Sequence, residues 1–129
     1  MRVLLIGSGG REHALATALK RDSKLTQLHV APGNPGIGEI ATLHQIDIND
    51  NQAVINLAKQ LEIDLVVIGP EAPLVNGLAD ACAQNAIPSF GPSQAAAQLE
   101  GSKDFAKKIM AQAHVPTAQS FTCTTKAEI

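Results

Sequence analysis

The chain has 129 residues, of which 45% are hydrophobic and 17% are charged, and its formal net charge is −2. These values predict one domain with a hydrophobic core, together with a short extension. The absence of a basic patch makes nucleic acid a poor candidate partner, and the absence of Trp and Tyr argues against base stacking. No apolar run approaches the roughly 20 residues of a membrane span. The apolar start stops at Gly7, too early for a signal peptide.

Apolar runs alternate with amphipathic segments through the first hundred residues. Four runs rich in Val, Leu or Ile predict strands at residues 3–6, 28–31, 65–68 and 87–90. Helical spacing predicts helices at residues 11–20, 54–61, 74–83 and 94–99, and Asn49 or Asp50 is expected to cap the second. The run Pro-Gly-Asn-Pro-Gly at residues 32–36 is predicted to form neither a helix nor a central strand.

This alternation predicts an open, doubly wound α/β domain with a parallel sheet and right-handed crossovers. The pattern changes beyond Gly101. Ser102 is expected to cap a further helix that Pro116 stops, residues 119–123 suggest a strand, and Thr125 suggests the cap of another helix. Because that last element has barely begun at Ile129, we expect the chain to be a truncated or proteolysed piece of a longer protein.

The loop at residues 7–13, with the sequence GSGGREH, is the first candidate site, since open α/β sheets bind ligands at the carboxyl ends of their strands. Its glycines let a ligand approach the backbone, and the following helix favours an anion. Arg11 either supports such an anion or points into water. Gly7 and Gly9 match the dinucleotide fingerprint G-x-G-x-x-G. However, Glu12 occupies its third position and no acid ends the second strand, which argues against a nicotinamide cofactor.

Two further loops leave strands in the same direction. The run at residues 32–36 is longer than a tight turn requires, which favours a binding role over a turn alone. Glu71, after the strand at residues 65–68, is placed either to accept hydrogen bonds from vicinal sugar hydroxyls or to cap the next helix.

The histidines and cysteines predict no metal site. The four histidines lack ligand spacing, and His13 is either a site residue or a packed histidine in the first helical turn. Cys82 and Cys123 lie far apart, so we expect buried or partly buried thiols in a reducing compartment and a cytoplasmic protein.

Four blocks of this sequence together resemble one enzyme family, phosphoribosylamine–glycine ligase of the ATP-grasp superfamily. They are residues 7–15 (GSGGREHAL), residues 32–34 (PGN), residues 67–74 (VIGPEAPL), and residues 90–92 (FGP) followed by 95–103 (AAAQLEGSK). Their order and spacing cover nearly the whole chain, but the family's protein continues for several hundred residues more.

The resemblance implies an enzyme that joins glycine to 5-phosphoribosylamine through an acyl phosphate, using ATP with Mg²⁺ or Mn²⁺, and gives glycinamide ribonucleotide. It implies a Rossmann-like pre-ATP-grasp domain at residues 1–101 and the first elements of an ATP-grasp domain at residues 102–129. The substrate-binding residues would be Gly9, Gly10, Arg11, Glu12, Gly33, Asn34 and Glu71. Lys103 resembles a lysine that approaches the ATP phosphates, the alternative being a solvated lysine. Catalytic residues, metal ligands and most ATP contacts are expected in the missing part, so the fragment is expected to fold without ligase activity.

Two alternatives remain open from the sequence. One is an NAD(P)-binding oxidoreductase domain, and the other is a non-enzymatic ligand-binding module of the same fold.

Overall fold

Five parallel strands form one sheet at the centre of the structure, a computed structural model that describes residues 1–128. The strands are β1 (Arg2–Gly7), β2 (Gln27–Pro32), β3 (Thr42–Leu43), β4 (Leu65–Ile68) and β5 (Ser89–Phe90). Their order is β3-β2-β1-β4-β5, and all paired neighbours run parallel. Along the chain, β2 and β3 are added on one side of β1, and β4 and β5 are then added on its other side. The direction of winding therefore reverses between β1 and β4, which marks the crevice where such sheets bind ligands.

Helices cover both faces of this sheet, as the predicted doubly wound fold requires. They are α1 (Gly10–Lys20), α2 (Pro35–Gly38), α3 (Asn51–Gln60), α4 (Glu71–Val75), α5 (Leu78–Gln84), α6 (Gln94–Gly101) and α7 (Lys103–Gln112), with a 3₁₀ turn at Lys126–Glu128. None of the helices described has the length and apolar character needed to cross a bilayer.

The central strand β1 shows why both faces are covered. Its side chains alternate between two buried clusters, so an unbroken apolar run is needed. Leu5 packs with Ala16 of α1 and Ile37 of α2 on one face. Leu4 lies on the other face, in the larger cluster that includes Leu78 of α5. All four of these leucine and isoleucine side chains are fully buried, as the apolar run predicted for the two in β1.

The segment at residues 32–36 differs from its prediction. Pro32 is the last residue of β2, and α2 begins at Pro35. Asn34 caps this short helix, because its side-chain oxygen accepts a hydrogen bond from the Ile37 amide at 2.9 Å. Proline fits the first helical position, where the missing N–H would have no partner within the helix.

The helix predicted at residues 74–83 is two helices, α4 and α5. Gly77 breaks them with a φ of +86°, a left-handed conformation that glycine adopts without a steric cost. The break is held by side-chain amides. The Asn51 amide donates to the Asn76 carbonyl at 2.9 Å, and the Asn76 amide donates to the Asn49 carbonyl at 2.6 Å.

The end of the chain follows the prediction only in part. Ser102 caps α7 as predicted, accepting a hydrogen bond from the Phe105 amide at 3.2 Å. The strand predicted at residues 119–123 is wrong: these residues are exposed and pair with no strand, and Phe121 is 87% exposed. Cys82 is buried as expected, whereas Cys123 is exposed. The helix predicted after Thr125 corresponds to the 3₁₀ turn, and Ile129 lies outside the described residues.

Candidate substrate site at the carboxyl edge of the sheet

Three loops meet at the carboxyl edge of β1, β2 and β4. The Gly33 amide donates to the Gly7 carbonyl at 3.1 Å, and the Asn34 side chain donates to the Ser8 carbonyl at 2.8 Å. The Gly69 amide donates to the Ile6 carbonyl at 3.1 Å, which connects the loop after β4 to the end of β1. The structure thus brings the predicted loops together because β1 lies between β2 and β4.

Arg11 and Glu71 face each other across this edge. The Arg11 Nη atoms lie 3.4 and 3.5 Å from Glu71 Oε1, and both side chains are about half exposed. Glu12 first and Glu71 second raise the pKa of Arg11, so the guanidinium stays charged. The pKa of Glu71 is lowered, mainly by a hydrogen bond from its own backbone amide and then by Arg11. The contact is long for a charge-assisted hydrogen bond, so each group can turn toward a ligand.

Glu12 occupies an unexpected place beneath the loop. Its side chain is buried, one oxygen accepts from the Gly9 amide at 2.8 Å, and the other accepts from Arg11 Nε at 3.2 Å. The bond to Gly9 is half of a capping box, because Gly9 precedes α1. A bulky acid at the third position of the dinucleotide fingerprint would ordinarily hinder packing of the helix on the strand. Gly7 and Gly69 instead leave it room, since a Cβ on either would approach the Glu12 side chain to 2.5 or 2.4 Å.

The remaining predicted residues have different environments. Both polar atoms of the Asn34 side chain have partners within the loop region: its nitrogen donates to the Ser8 carbonyl, and its oxygen caps α2. Gly33 has a φ of +72°, and a Cβ there would meet Leu43 at 2.4 Å, so this glycine shapes the turn. A Cβ on Gly10 would meet open space. The His13 ring is half-buried and lies against Gly36 at the start of α2, which is a packing role.

Lys103 is not brought into this group. It lines a separate pocket of about 200 Å³ between α7 and residues 120–122. By contrast, Glu100, in the last turn of α6, is one of the groups that lower the pKa of Glu71. No motif or spacing points to a role for Glu100, because its position depends on the packing of α6 against α4. The edge therefore carries one guanidinium among several carboxylates.

A metal ion has no evident site in the part of the chain that is described. No group of three or more His, Cys, Asp or Glu side chains among residues 1–127 is arranged to hold one. No chemical step through the Mg²⁺ or Mn²⁺ that the family resemblance implies therefore follows from these residues.

Solved structures with this fold define the class of protein. The chain superposes on a crystal structure of phosphoribosylamine–glycine ligase from Thermotoga maritima with a TM-score of 0.68 and 28% identity, over 92% of this chain and 26% of that one. It also superposes with a TM-score of 0.68 on the biotin carboxylase domain of a thermophilic 2-oxoglutarate carboxylase. That match has 19% identity, spans 90% of this chain and 28% of the other, and shows the fold alone. The sheet and these structural neighbours together identify the fold as that of a pre-ATP-grasp domain.

The sequence comparisons narrow this class to one family. Residues 1–100 match the family described as "Phosphoribosylglycinamide synthetase, N domain", and the chain belongs to that family. A phosphoribosylamine–glycine ligase from Streptomyces coelicolor is 59% identical over all 129 residues, which are 31% of its own length. The chain thus spans about a third of the curated relatives that it matches.

Proposed function

We propose that this chain is the amino-terminal, substrate-side domain of an ATP-dependent ligase of de novo purine synthesis, which joins glycine to 5-phosphoribosylamine to give glycinamide ribonucleotide. The observation that carries the proposal is the meeting of Arg11 and Glu71 beside the glycine loop at the winding reversal of the sheet. The proposed substrate-binding residues are Gly9, Gly10, Arg11, Gly33, Asn34 and Glu71, while Glu12, which was expected among them, is buried beneath the loop.

The chemistry of this edge suits a sugar that carries a phosphate. The amino end of α1 has free N–H groups and a positive dipole end, which favour an anion close to Gly10. The Glu71 carboxylate accepts hydrogen bonds only, and two hydroxyls of a ribose ring are matching donors. Arg11 lies between these two regions, so it can neutralise the bound anion while Glu71 turns to the sugar.

ATP and the divalent metal belong to the remaining part of the ligase in this proposal. Residues 102–129 would begin the ATP-grasp domain, and Lys103 would approach the ATP phosphates from the start of α7. Activation of the glycine carboxylate needs a nucleotide cleft and metal-binding acids to stabilise the growing negative charge. The 129-residue chain is therefore expected to fold but not to hydrolyse ATP in a glycine-dependent manner. A cytoplasmic location is part of this proposal, because two widely spaced, unbonded thiols suit a reducing compartment.

A nicotinamide cofactor is not favoured at this edge. The Glu12 side chain fills the space beneath the loop, and β2 ends at Pro32 rather than at an acid that could bind the ribose hydroxyls. No particular observation supports a ligand-binding module without enzymatic activity.

The test joins this chain to the remaining part of the Streptomyces coelicolor ligase and measures glycine-dependent ATP hydrolysis by the resulting chimeric ligase. Arg11→Ala and Glu71→Ala should each raise the KM for phosphoribosylamine about tenfold or more, the loss expected for a charge-assisted contact, with the KM for ATP within about twofold. Arg2→Ala is the matched control, because it breaks the Arg2–Glu62 ion pair at the opposite edge of the sheet and should leave both KM values unchanged. The proposal is wrong if the folded chimera has no activity, or if neither site variant changes the KM for phosphoribosylamine.

A further inference from the structure

We propose that Glu12 is a positioning residue, which sets the Gly9 amide and the Arg11 guanidinium at the edge where the sugar phosphate binds. This inference rests on the proposed function. It differs from the expectation that Glu12 itself contacts the substrate, because its carboxylate lies beneath the loop rather than on its open side.

The burial of Glu12 is the first argument. Glu12 is 4% exposed, and among residues 1–127 only Glu12 and His29 are buried side chains that are polar or charged. A buried carboxylate is costly unless each oxygen is paired. A solvent-facing acid at the same helical position would cap α1 without this cost, so burial indicates a role beyond capping.

The two carboxylate oxygens have different partners. Oε2 accepts a hydrogen bond from the Gly9 amide at 2.8 Å, and Oε1 accepts from Arg11 Nε at 3.2 Å. One side chain thus fixes the backbone of the loop and the base of the guanidinium together. Because Nε is held from beneath, the two Nη groups point toward Glu71 and the open edge.

The space around Glu12 is shaped for it by two glycines from different strands. A Cβ on Gly7, at the end of β1, would approach its Cγ to 2.5 Å, and a Cβ on Gly69, after β4, would approach its Oε1 to 2.4 Å. Gly69 has no positive φ, so an alanine there is disfavoured by contact with Glu12 rather than by backbone strain. Glu12 therefore lies against both the loop that precedes Arg11 and the loop that precedes Glu71.

Glu12→Gln in the chimeric ligase tests whether the Glu12 carboxylate positions Gly9 and Arg11 through its two hydrogen bonds. Glutamine keeps the volume but offers one oxygen to two donors, so the hold on either Gly9 or Arg11 is lost. The expected result is a KM for phosphoribosylamine raised about tenfold, as for loss of one hydrogen bond to a charged group, with the KM for ATP unchanged. An unchanged KM for phosphoribosylamine would overturn the inference.

A pair of variants separates positioning from packing. Gly69→Ala should lower the melting temperature and raise the KM for phosphoribosylamine, because its methyl group displaces the Glu12 carboxylate. Glu12→Ala combined with Gly69→Ala removes the clash, so the melting temperature should recover while the KM stays high. Recovery of both quantities would mean that Glu12 only fills space, and the inference would be wrong.

The same measurements tell the two proposals apart. If Arg11→Ala raises the KM for phosphoribosylamine and Glu12→Gln does not, this inference fails and the proposed function stands. If Arg11→Ala and Glu71→Ala both have no effect, the proposed function itself fails.

Discussion

Arg11 Nη2 lies 3.4 Å from Glu71 Oε1, although 60 residues separate the two side chains along the sequence. Arg11 belongs to the first turn of α1, and Glu71 is the first residue of α4. The pair therefore spans the point where winding of the sheet reverses, between β1 and β4. A ligand in this crevice would meet a cation and a carboxylate side by side, which suits a molecule with both an anionic group and hydroxyl groups.

Removing the cation should change the titration of its partner. Arg11 stabilises the charged form of Glu71, and so contributes to the lowered pKa of that carboxyl. In Arg11→Gln the pKa of Glu71 should rise toward its ordinary value but stay below it, because the backbone amide of Glu71 remains. Carboxyl ¹³C NMR of the 129-residue chain measures the shift, with Glu71→Gln to assign the signal.

Lys108→Gln is the matched control for that titration. Lys108 lowers the pKa of Asp104 in α7 by a side-chain hydrogen bond, so this variant should raise the pKa of Asp104 and leave Glu71 alone. A Glu71 pKa that does not move in Arg11→Gln would show that the two groups do not interact in solution.

The sequence was a good guide to the core and a weaker one to the contacts of the site. An unbroken apolar run is typical of a strand that is buried on both faces of a parallel sheet, so β1 was predictable. Parallel strands bring their carboxyl ends to one edge, which predicted that the loops would meet. The burial of Glu12 was not predictable, because it depends on Gly69, a residue remote in sequence whose missing side chain leaves the space.

Short elements and breaks within helices also could not be predicted from the sequence. β3 has two residues and pairs only with β2, so its apolar content is too small to give a periodic signal. The break between α4 and α5 depends on one left-handed glycine, Gly77, within a segment that otherwise keeps helical spacing. The strand predicted at residues 119–123 had suitable composition, but no strand of the described part lies beside it.

The larger core cluster should respond strongly to loss of volume. Leu78 is fully buried among α3, α5 and the sheet, whereas Leu99 of α6 is 50% exposed. Leu78→Ala should lower the free energy of unfolding by about 2–5 kcal/mol, because it removes buried methyl groups and leaves a cavity. Leu99→Ala makes the same chemical change and should cost less than about 1 kcal/mol. Urea denaturation of the 129-residue chain measures both, and equal losses would contradict the placement of the core.

The two thiols should react at very different rates. Cys82 is buried, and burial raises the pKa of its thiol, which disfavours the reactive thiolate. Cys123 is exposed near the end of the chain. A disulfide reagent such as 5,5′-dithiobis(2-nitrobenzoic acid) should label one thiol of the native chain at neutral pH and a second only after unfolding. Cys123→Ser should abolish the fast reaction, and a remaining fast phase would mean that Cys82 is accessible.

His29 should make the chain less stable in mild acid. Its Nδ1 lies 3.0 Å from His44 Nε2, while its own Nε2 is buried without a partner among the described residues. Burial first, then His44 and Arg2, lower the pKa of His29. As the pH falls below the ordinary histidine pKa of about 6.5, the unfolded chain therefore binds a proton before the folded chain does, and the free energy of unfolding decreases.

A pair of histidine variants tests this dependence on pH. Urea denaturation between pH 8 and about pH 5 should show a smaller loss of stability in His29→Gln than in the unsubstituted chain, because the group that resists protonation in the fold is gone. His114→Gln is the control, since His114 is exposed beyond α7 and its replacement should leave the slope unchanged. Equal slopes in the unsubstituted chain and in His29→Gln would mean that His29 does not govern the response to acid.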